Sequence, residues 1–129
     1  MISQARQFTI LCIHSDKASL HIRANKLEAV GYRVLTALTA NEAMAVFVQQ
    51  EIDLVVADQR LHGVSGAELS IFMKQVRPGV SVMVVAERAL PATHAKHVDA
   101  CVRKDCPEQE FLGCIENVLS RHALLQRAM

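Results

Sequence analysis

Residues 53–66 read DLVVADQRLHGVSG and mark the point where an apolar run gives way to a polar loop. The run is short, rich in β-branched residues and unbroken as far as Ala57, which is typical of a strand buried on both faces of a parallel sheet. Asp58 follows directly, and Gly63 and Gly66 interrupt the loop behind it. This stretch predicts an α/β fold in which Asp58 stands at the carboxyl end of a strand.

Four more segments have the composition of strands, and helical patterns separate them. The strand segments are FTILCI (8–13), YRVLTA (32–37), VSVMVV (80–85) and ACVR (100–103). The first helix is marked by the apolar stripe Leu20, Ala24 and Leu27, which Gly31 closes, and the second and third by capping-box spacings at Thr39 with Glu42 and at Ser65 with Glu68. A fourth, at 90–97, is weakly marked. Pro107 precedes the fifth, whose apolar stripe is Phe111, Ile115 and Val118. The alternation is βαβαβαβαβα.

The crossovers are long enough for right-handed parallel connections, so we expect a three-layer α/β sandwich with a five-stranded parallel sheet. The common doubly wound order for five strands is 2-1-3-4-5, the flavodoxin-like arrangement. One domain is expected over residues 1–129, with its core at about 7–120.

Composition limits the class of partner. Lys and Arg number 14 against 13 Asp and Glu, so no bulk charge attracts a nucleic acid or an anionic membrane. No apolar stretch approaches the roughly 20 residues of a membrane span, and the start, MISQARQ, is too polar for a secretory signal. We therefore expect a cytoplasmic protein that binds another protein or a small ligand.

Ligands of doubly wound sheets bind beyond the carboxyl ends of the strands, at the switch point between strands one and three. The residues expected there are His14-Ser15-Asp16, Asp58, Val85-Ala86 and Lys104-Asp105. A carboxylate that faces Lys104 can be a phosphoryl acceptor, a metal ligand, a general base or half of an ion pair. A transition-metal site of His14, Asp58 and His62 is a further alternative, although loop histidines are usually solvated.

The chain resembles the receiver domain of bacterial two-component response regulators over roughly residues 7–120. The segment DLVVADQRLHGVSGAEL carries the resemblance, together with Lys104 at the end of the fifth strand. The resemblance implies that Asp58 accepts a phosphoryl group from the histidine of a partner sensor histidine kinase. It also implies a phosphoryl pocket of Lys104, His14, Ser15, Val85 and Ala86, and a signalling module rather than an enzyme.

The resemblance further implies a Mg²⁺ ion, but the usual pair of acidic ligands after the first strand is replaced by His14 and Ser15. Mg²⁺ prefers hard oxygen ligands, so the ion would have to be held by Asp58 and by Asp16. Asp16 has a simpler interpretation as the N-cap of the following helix. Lys104 could instead neutralise Asp58 directly, with His14 adding positive charge when protonated.

The positions that resemble the family's switch residues are Val85, in place of a hydroxyl, and Cys101, in place of an aromatic ring. A valine cannot donate a hydrogen bond to a phosphoryl oxygen. Two interpretations therefore stay open: a receiver phosphorylated on Asp58 in a phosphorelay, or a pseudo-receiver that binds its partner without phosphorylation.

Only nine residues, RHALLQRAM, are expected to follow the fifth helix, which leaves no room for a DNA-binding output domain. A stand-alone receiver is the resulting prediction. The sequence leaves a homodimer open.

Overall fold

The computed structural model describes residues 7–128. Its elements, in chain order, are β1 (Thr9–Ile13), α1 (Lys17–Ala29), β2 (Arg33–Ala37), α2 (Ala40–Gln49), β3 (Leu54–Asp58), α3 (Gly66–Val76), β4 (Ser81–Ala86), α4 (Ala92–Ala95), β5 (Ala100–Arg103) and α5 (Glu108–Ala128). Each predicted strand forms within one residue of its expected bounds.

The five strands form one parallel sheet in the order β2-β1-β3-β4-β5, as predicted. In this order β1 and β3 are neighbours while their following helices lie on opposite faces, and a cleft opens between the ends of the two strands. Asp58 lies at that cleft and is in register with Val85 on β4.

Alternate side chains of the central strands enter two separate cores. On one face, Leu11 and Val55 pack with α2 and α3, where Phe47 is fully buried. On the other face, Ile10 and Val56 pack with α1 and α5. Burial of both sheet faces explains why the strands read as continuous apolar runs.

The helix caps follow the predicted chemistry with one difference. Ser65 and Glu68 form a complete capping box at α3. At α2, Thr39 accepts a hydrogen bond from the Glu42 backbone, but the Glu42 carboxylate accepts from Leu38 N at 3.2 Å, one residue before the cap. The capping box predicted at Thr39 is therefore only half formed, because the Glu42 carboxylate accepts from Leu38 N and not from Thr39 N.

The fifth helix is longer than predicted. Residues RHALLQRA continue α5 to Ala128 instead of following it. Within this extension His122 is buried at 3% exposure, with Nε2 at 3.2 Å from Asp53 Oδ1 and Nδ1 at 3.3 Å from Ser81 Oγ. These contacts anchor the helix well beyond its apolar stripe.

Over residues 7–128, no helix combines the length and the apolar character needed to cross a membrane.

Candidate functional site

Asp58 is the centre of the site and is almost completely enclosed, with its side chain 1% exposed. Among residues 7–128, three side chains contact its carboxylate. Arg23 Nη1 lies 2.8 Å from Oδ1, and His14 Nε2 and Lys104 Nζ each lie 3.0 Å from Oδ2. Both oxygens of the carboxylate are therefore engaged.

His14 directly follows β1, and its backbone N–H donates to Ala37 O at 3.2 Å. Its ring Nδ1 accepts a hydrogen bond from the Asp16 backbone N–H at 3.0 Å, so the ring proton must be on Nε2, from which it is donated to Asp58. Burial lowers the pKa of His14 below its ordinary value of 6.5, and the nearby Asp58 charge opposes this shift only in part. At neutral pH the ring is therefore a neutral donor, and the protonation under which His14 would add positive charge is disfavoured.

Lys104 reaches Asp58 as predicted. Its backbone N–H donates to Ala86 O at 2.8 Å at the end of β5, which directs the side chain toward the cleft. The lysine side chain is 42% exposed, whereas the carboxylate that it contacts is enclosed.

Arg23 is the residue that sequence reasoning missed. It lies on α1 with its side chain 14% exposed, and its Cζ lies 5.7 Å from the centre of the Phe111 ring on α5. A sequence clue did exist: Arg23 is three residues after Leu20 and adjacent to Ala24, so it borders the buried face of its helix. Nothing in the sequence links it to Asp58, which is 35 residues away.

Asp16 takes the N-cap position of α1. Its carboxylate accepts hydrogen bonds from the backbone and hydroxyl of Ser19, and these bonds lower the pKa of the carboxyl. The side chain is thus turned to the helix and is not brought to Asp58. Ser15 is exposed beside it.

These residues do not fit a Mg²⁺ ion. A magnesium site needs several oxygen ligands in octahedral geometry, but the Asp58 oxygens already contact two cations and an imidazole N–H. Asp16 caps its helix, and within residues 7–128 no group of three or more His, Cys, Asp or Glu side chains is placed to hold a metal. His62 is exposed on the loop and is not among the side chains that contact Asp58, so the two-histidine site does not form.

Gly66 explains part of the loop sequence. A Cβ atom at this position would lie 2.5 Å from Asp58 O, which is impossible without a shift of the backbone. The close approach is fixed by the hydrogen bond from Gly66 N to Gln59 O at 3.0 Å and by that from Ala67 N to Gln59 Oε1 at 2.9 Å. The first turn of α3 is therefore packed directly onto the main chain of Asp58. Gly63, with φ +83°, makes the turn before it.

An open cavity of about 390 Å³ lies between the β3–α3 and β4–α4 loops, and its lining includes Arg60, Val85, Ala86, Arg88 and Lys104. Val85 is 3% exposed and gives this cavity an apolar wall at the position that resembles the family's switch hydroxyl. Cys101 is exposed on β5 and is in register with Val84. Neither switch position carries a hydroxyl or an aromatic ring.

The chain is similar in sequence to transcriptional regulatory proteins. The chain is 29% identical over 118 residues to the transcriptional regulatory protein GlrR of Escherichia coli K12, a match that covers 88% of this chain and 27% of GlrR. The chain thus corresponds to about a quarter of that relative's length.

Among solved structures, the CheY-like response regulator receiver domain protein of Methanospirillum hungatei JF-1 is 26% identical, with a TM-score of 0.83 over 92% of this chain and 98% of the other. The response regulator TrrA of Thermotoga maritima, solved with Mg²⁺ and BeF, is 19% identical, with a TM-score of 0.80 over 87% of this chain and 99% of TrrA. The family model of the response regulator receiver domain matches residues 10–116, and the chain therefore belongs to the receiver domain family of two-component response regulators.

Proposed function

We propose that this protein is a receiver module of two-component signalling that binds its partner without needing phosphorylation of Asp58. The observation that carries the proposal is the closed state of the acceptor position, since Asp58 is 1% exposed and both of its oxygens are in ion pairs or hydrogen bonds.

Phosphoryl transfer to a carboxylate needs one oxygen free to approach phosphorus in line with the leaving group. At Asp58, that approach requires the displacement of Arg23 from Oδ1 or of His14 and Lys104 from Oδ2. Each contact also lowers the nucleophilicity of the oxygen, because it stabilises the negative charge in place. We expect slow phosphorylation or none.

The wall of the cavity supports the same proposal. A receiver that responds to phosphorylation needs a group that interacts differently with the phosphorylated and free states. Val85 lines the cavity, is in register with Asp58 on the neighbouring strand, and carries only methyl groups. A phosphoryl group on Asp58 would thus find no hydroxyl there through which to move the following loop.

A second function is favoured by Lys104 and Arg23. In it, Asp58 accepts a phosphoryl group from a sensor histidine kinase in a phosphorelay, and these two cations neutralise the charge that develops on the transferred group. The Lys104 and Arg23 nitrogens lie 3.0 and 2.8 Å from the carboxylate oxygens, close enough to contact the oxygens of a phosphoryl group attached to Asp58.

The partner of either function is a sensor histidine kinase or another signalling protein, and the module has no enzymatic turnover of its own. We place the binding face on α4, β5 and α5, where exposed residues of β5 such as Cys101 and Arg103 are presented.

The test is intact mass spectrometry after incubation with a small phosphodonor, once with Mg²⁺ and once with a chelator. We expect no phosphoryl adduct above that of Asp58→Ala. Asp105→Ala serves as the matched control, because Asp105 is an exposed carboxylate that pairs with Arg103 and not with the pocket. Rapid, stoichiometric labelling that Asp58→Ala abolishes and Asp105→Ala retains would establish the second function instead.

The companion test uses the partner, once it has been identified by affinity capture. Asp58→Asn removes the charge of the acceptor, and we expect binding of the partner within about twofold of the unmodified protein. A loss of binding confined to Asp58→Asn, with a folded variant, would contradict phosphorylation-independent function.

A further inference from the structure

We propose that Arg23 occupies the place of a divalent cation at Asp58 and is the residue that closes this pocket to Mg²⁺. The inference rests on the proposed function only in treating the Asp58 pocket as a receiver site. It names a specificity residue that lies outside the loops on which the family resemblance was built.

The first step is the contact itself. Arg23 Nη1 lies 2.8 Å from Asp58 Oδ1, whereas His14 and Lys104 share Oδ2. Oδ1 is thus the oxygen that a cation could use, and Arg23 is its only contact among the ion pairs and hydrogen bonds of residues 7–128. Removal of Arg23 leaves one carboxylate oxygen free and the other still engaged.

The second step is charge. Arg23 and Lys104 are permanent cations at neutral pH, and His14 is a neutral donor, so one carboxylate already faces two positive charges. A dication at Oδ1 would lie within a few ångströms of the guanidinium and would be repelled in a poorly solvated site. Arg23 and Lys104 therefore balance the negative charge of Asp58 without a metal ion.

The third step is that Arg23 is held in place. Its guanidinium lies 5.7 Å from the centre of the Phe111 ring, and its side chain is 14% exposed. One turn further along α1, Lys26 pairs with Glu108 at 3.0 Å and ties the same helix to α5. The Phe111 ring and the burial of the side chain therefore favour the placement of the guanidinium at Oδ1.

The experiment measures thermal unfolding of the full chain in MgCl₂, against matched ionic strength in NaCl. For the unmodified protein we expect no Mg²⁺-specific shift of Tm. For Arg23→Ala, and more strongly for Arg23→Ala with His14→Asp, which adds a second carboxylate, we expect a Tm that rises with Mg²⁺ concentration. Asp58→Asn placed in the double variant should abolish that rise.

Lys26→Ala is the matched control, because it removes a positive charge from the exposed side of the same helix and leaves Oδ1 occupied. It should behave like the unmodified protein. If Arg23→Ala fails to fold, Arg23→Gln keeps a donor of similar length without the charge and takes its place.

Mn²⁺ titration of the unmodified protein, read by amide NMR, tests the proposal without any variant. We expect no selective broadening of the Ala57, Asp58 and Gln59 signals. Selective broadening there, or an equal Mg²⁺ shift of Tm in the unmodified and Arg23→Ala proteins, would overturn the role of Arg23. Metal-free phosphorylation of Asp58 would refute the proposed function and leave this inference standing.

Discussion

At the scale of single residues, the chemistry of the pocket is set by which atoms face Asp58. His14 contributes a neutral N–H, because its other ring nitrogen is already an acceptor for the Asp16 backbone. Lys104 and Arg23 contribute the charge. The carboxylate is thus satisfied by one residue of α1 and by the residues that directly follow β1 and β5.

The His14 assignment predicts an NMR signature and a pH dependence. We expect ¹⁵N shifts of the Nε2–H tautomer at pH 7. Because the folded-state pKa is lowered, the unfolded chain binds a proton below about pH 6.5 while the folded protein does not, so folding stability falls as pH decreases from that value. Denaturant titrations at pH 7.5 and 5.5 measure this loss. His14→Gln should reduce the pH dependence, and an unchanged dependence would contradict it.

Gly66→Ala should strain the site. Its Cβ would meet the Asp58 carbonyl oxygen at 2.5 Å, and the backbone would have to move. We expect a loss of roughly 1–3 kcal/mol in the free energy of unfolding. The control is Gly113→Ala on α5, where a Cβ meets nothing within 4 Å and alanine should stabilise the helix by about 0.5–1 kcal/mol. Equal effects of the two changes would refute the close approach.

The residues of the site differ in how predictable they were from sequence. Asp58 and Lys104 lie at strand ends, and the topology of a parallel sheet brings strand ends together whatever the side chains are. Arg23 lies inside a helix, and its contact depends on the packing of α1 against α5, which periodicity does not specify. The charge state of His14 stayed open for a related reason, since burial and the Asp16 hydrogen bond are not visible in the sequence.

At the scale of elements, α5 is held by two kinds of contact along its length. Its first half buries Ile115 and Val118 in the core, and its second half is held by His122. The nine residues RHALLQRAM were predicted to follow the helix, whereas residues 121–128 continue it. The sequence does not show that His122 would contact Asp53 and Ser81, which lie at the amino ends of β3 and β4.

His122→Ala should therefore destabilise the protein although His122 lies far from the loops around Asp58. It removes hydrogen-bond partners of the buried Asp53 carboxylate and of Ser81. We expect a loss of roughly 1.5–3 kcal/mol in the free energy of unfolding, measured by chemical denaturation. Arg121→Ala, at an exposed neighbouring position, should stay within about 0.5 kcal/mol of the unmodified protein. Similar losses for both variants would contradict a specific role for His122.

At the scale of the whole molecule, the fold was predictable because one physical requirement determines it. A sheet covered by helices on both faces needs strands that are apolar on both sides. β1, β3 and β4 are such strands, and every residue in them is buried. The strand order followed from that class of fold. The two cores, in contrast, emerge only when alternate side chains are assigned to the α1–α5 face or the α2–α3 face.

The sheet interior should also control thiol chemistry. Cys12 is fully buried in β1, and burial raises the pKa of its thiol to about 12, so it carries almost no thiolate at pH 8. Cys101 is exposed. We expect iodoacetamide to modify Cys101 in the native protein and Cys12 only after denaturation, as read by peptide mass spectrometry. Comparable native labelling of the two cysteines would contradict the burial of β1.

Asp53 accepts a hydrogen bond from Thr9 N at the start of β1 and contacts His122 near the end of α5. Its partners are therefore made at very different times during synthesis on the ribosome. When β1, β3 and β4 have left the ribosome, the helical segment with His122, which contacts Asp53 and Ser81 at the amino ends of β3 and β4, has not yet emerged. The contact between Asp53 and His122 can therefore form only after residue 122 has left the ribosome, so this part of the native structure is completed late.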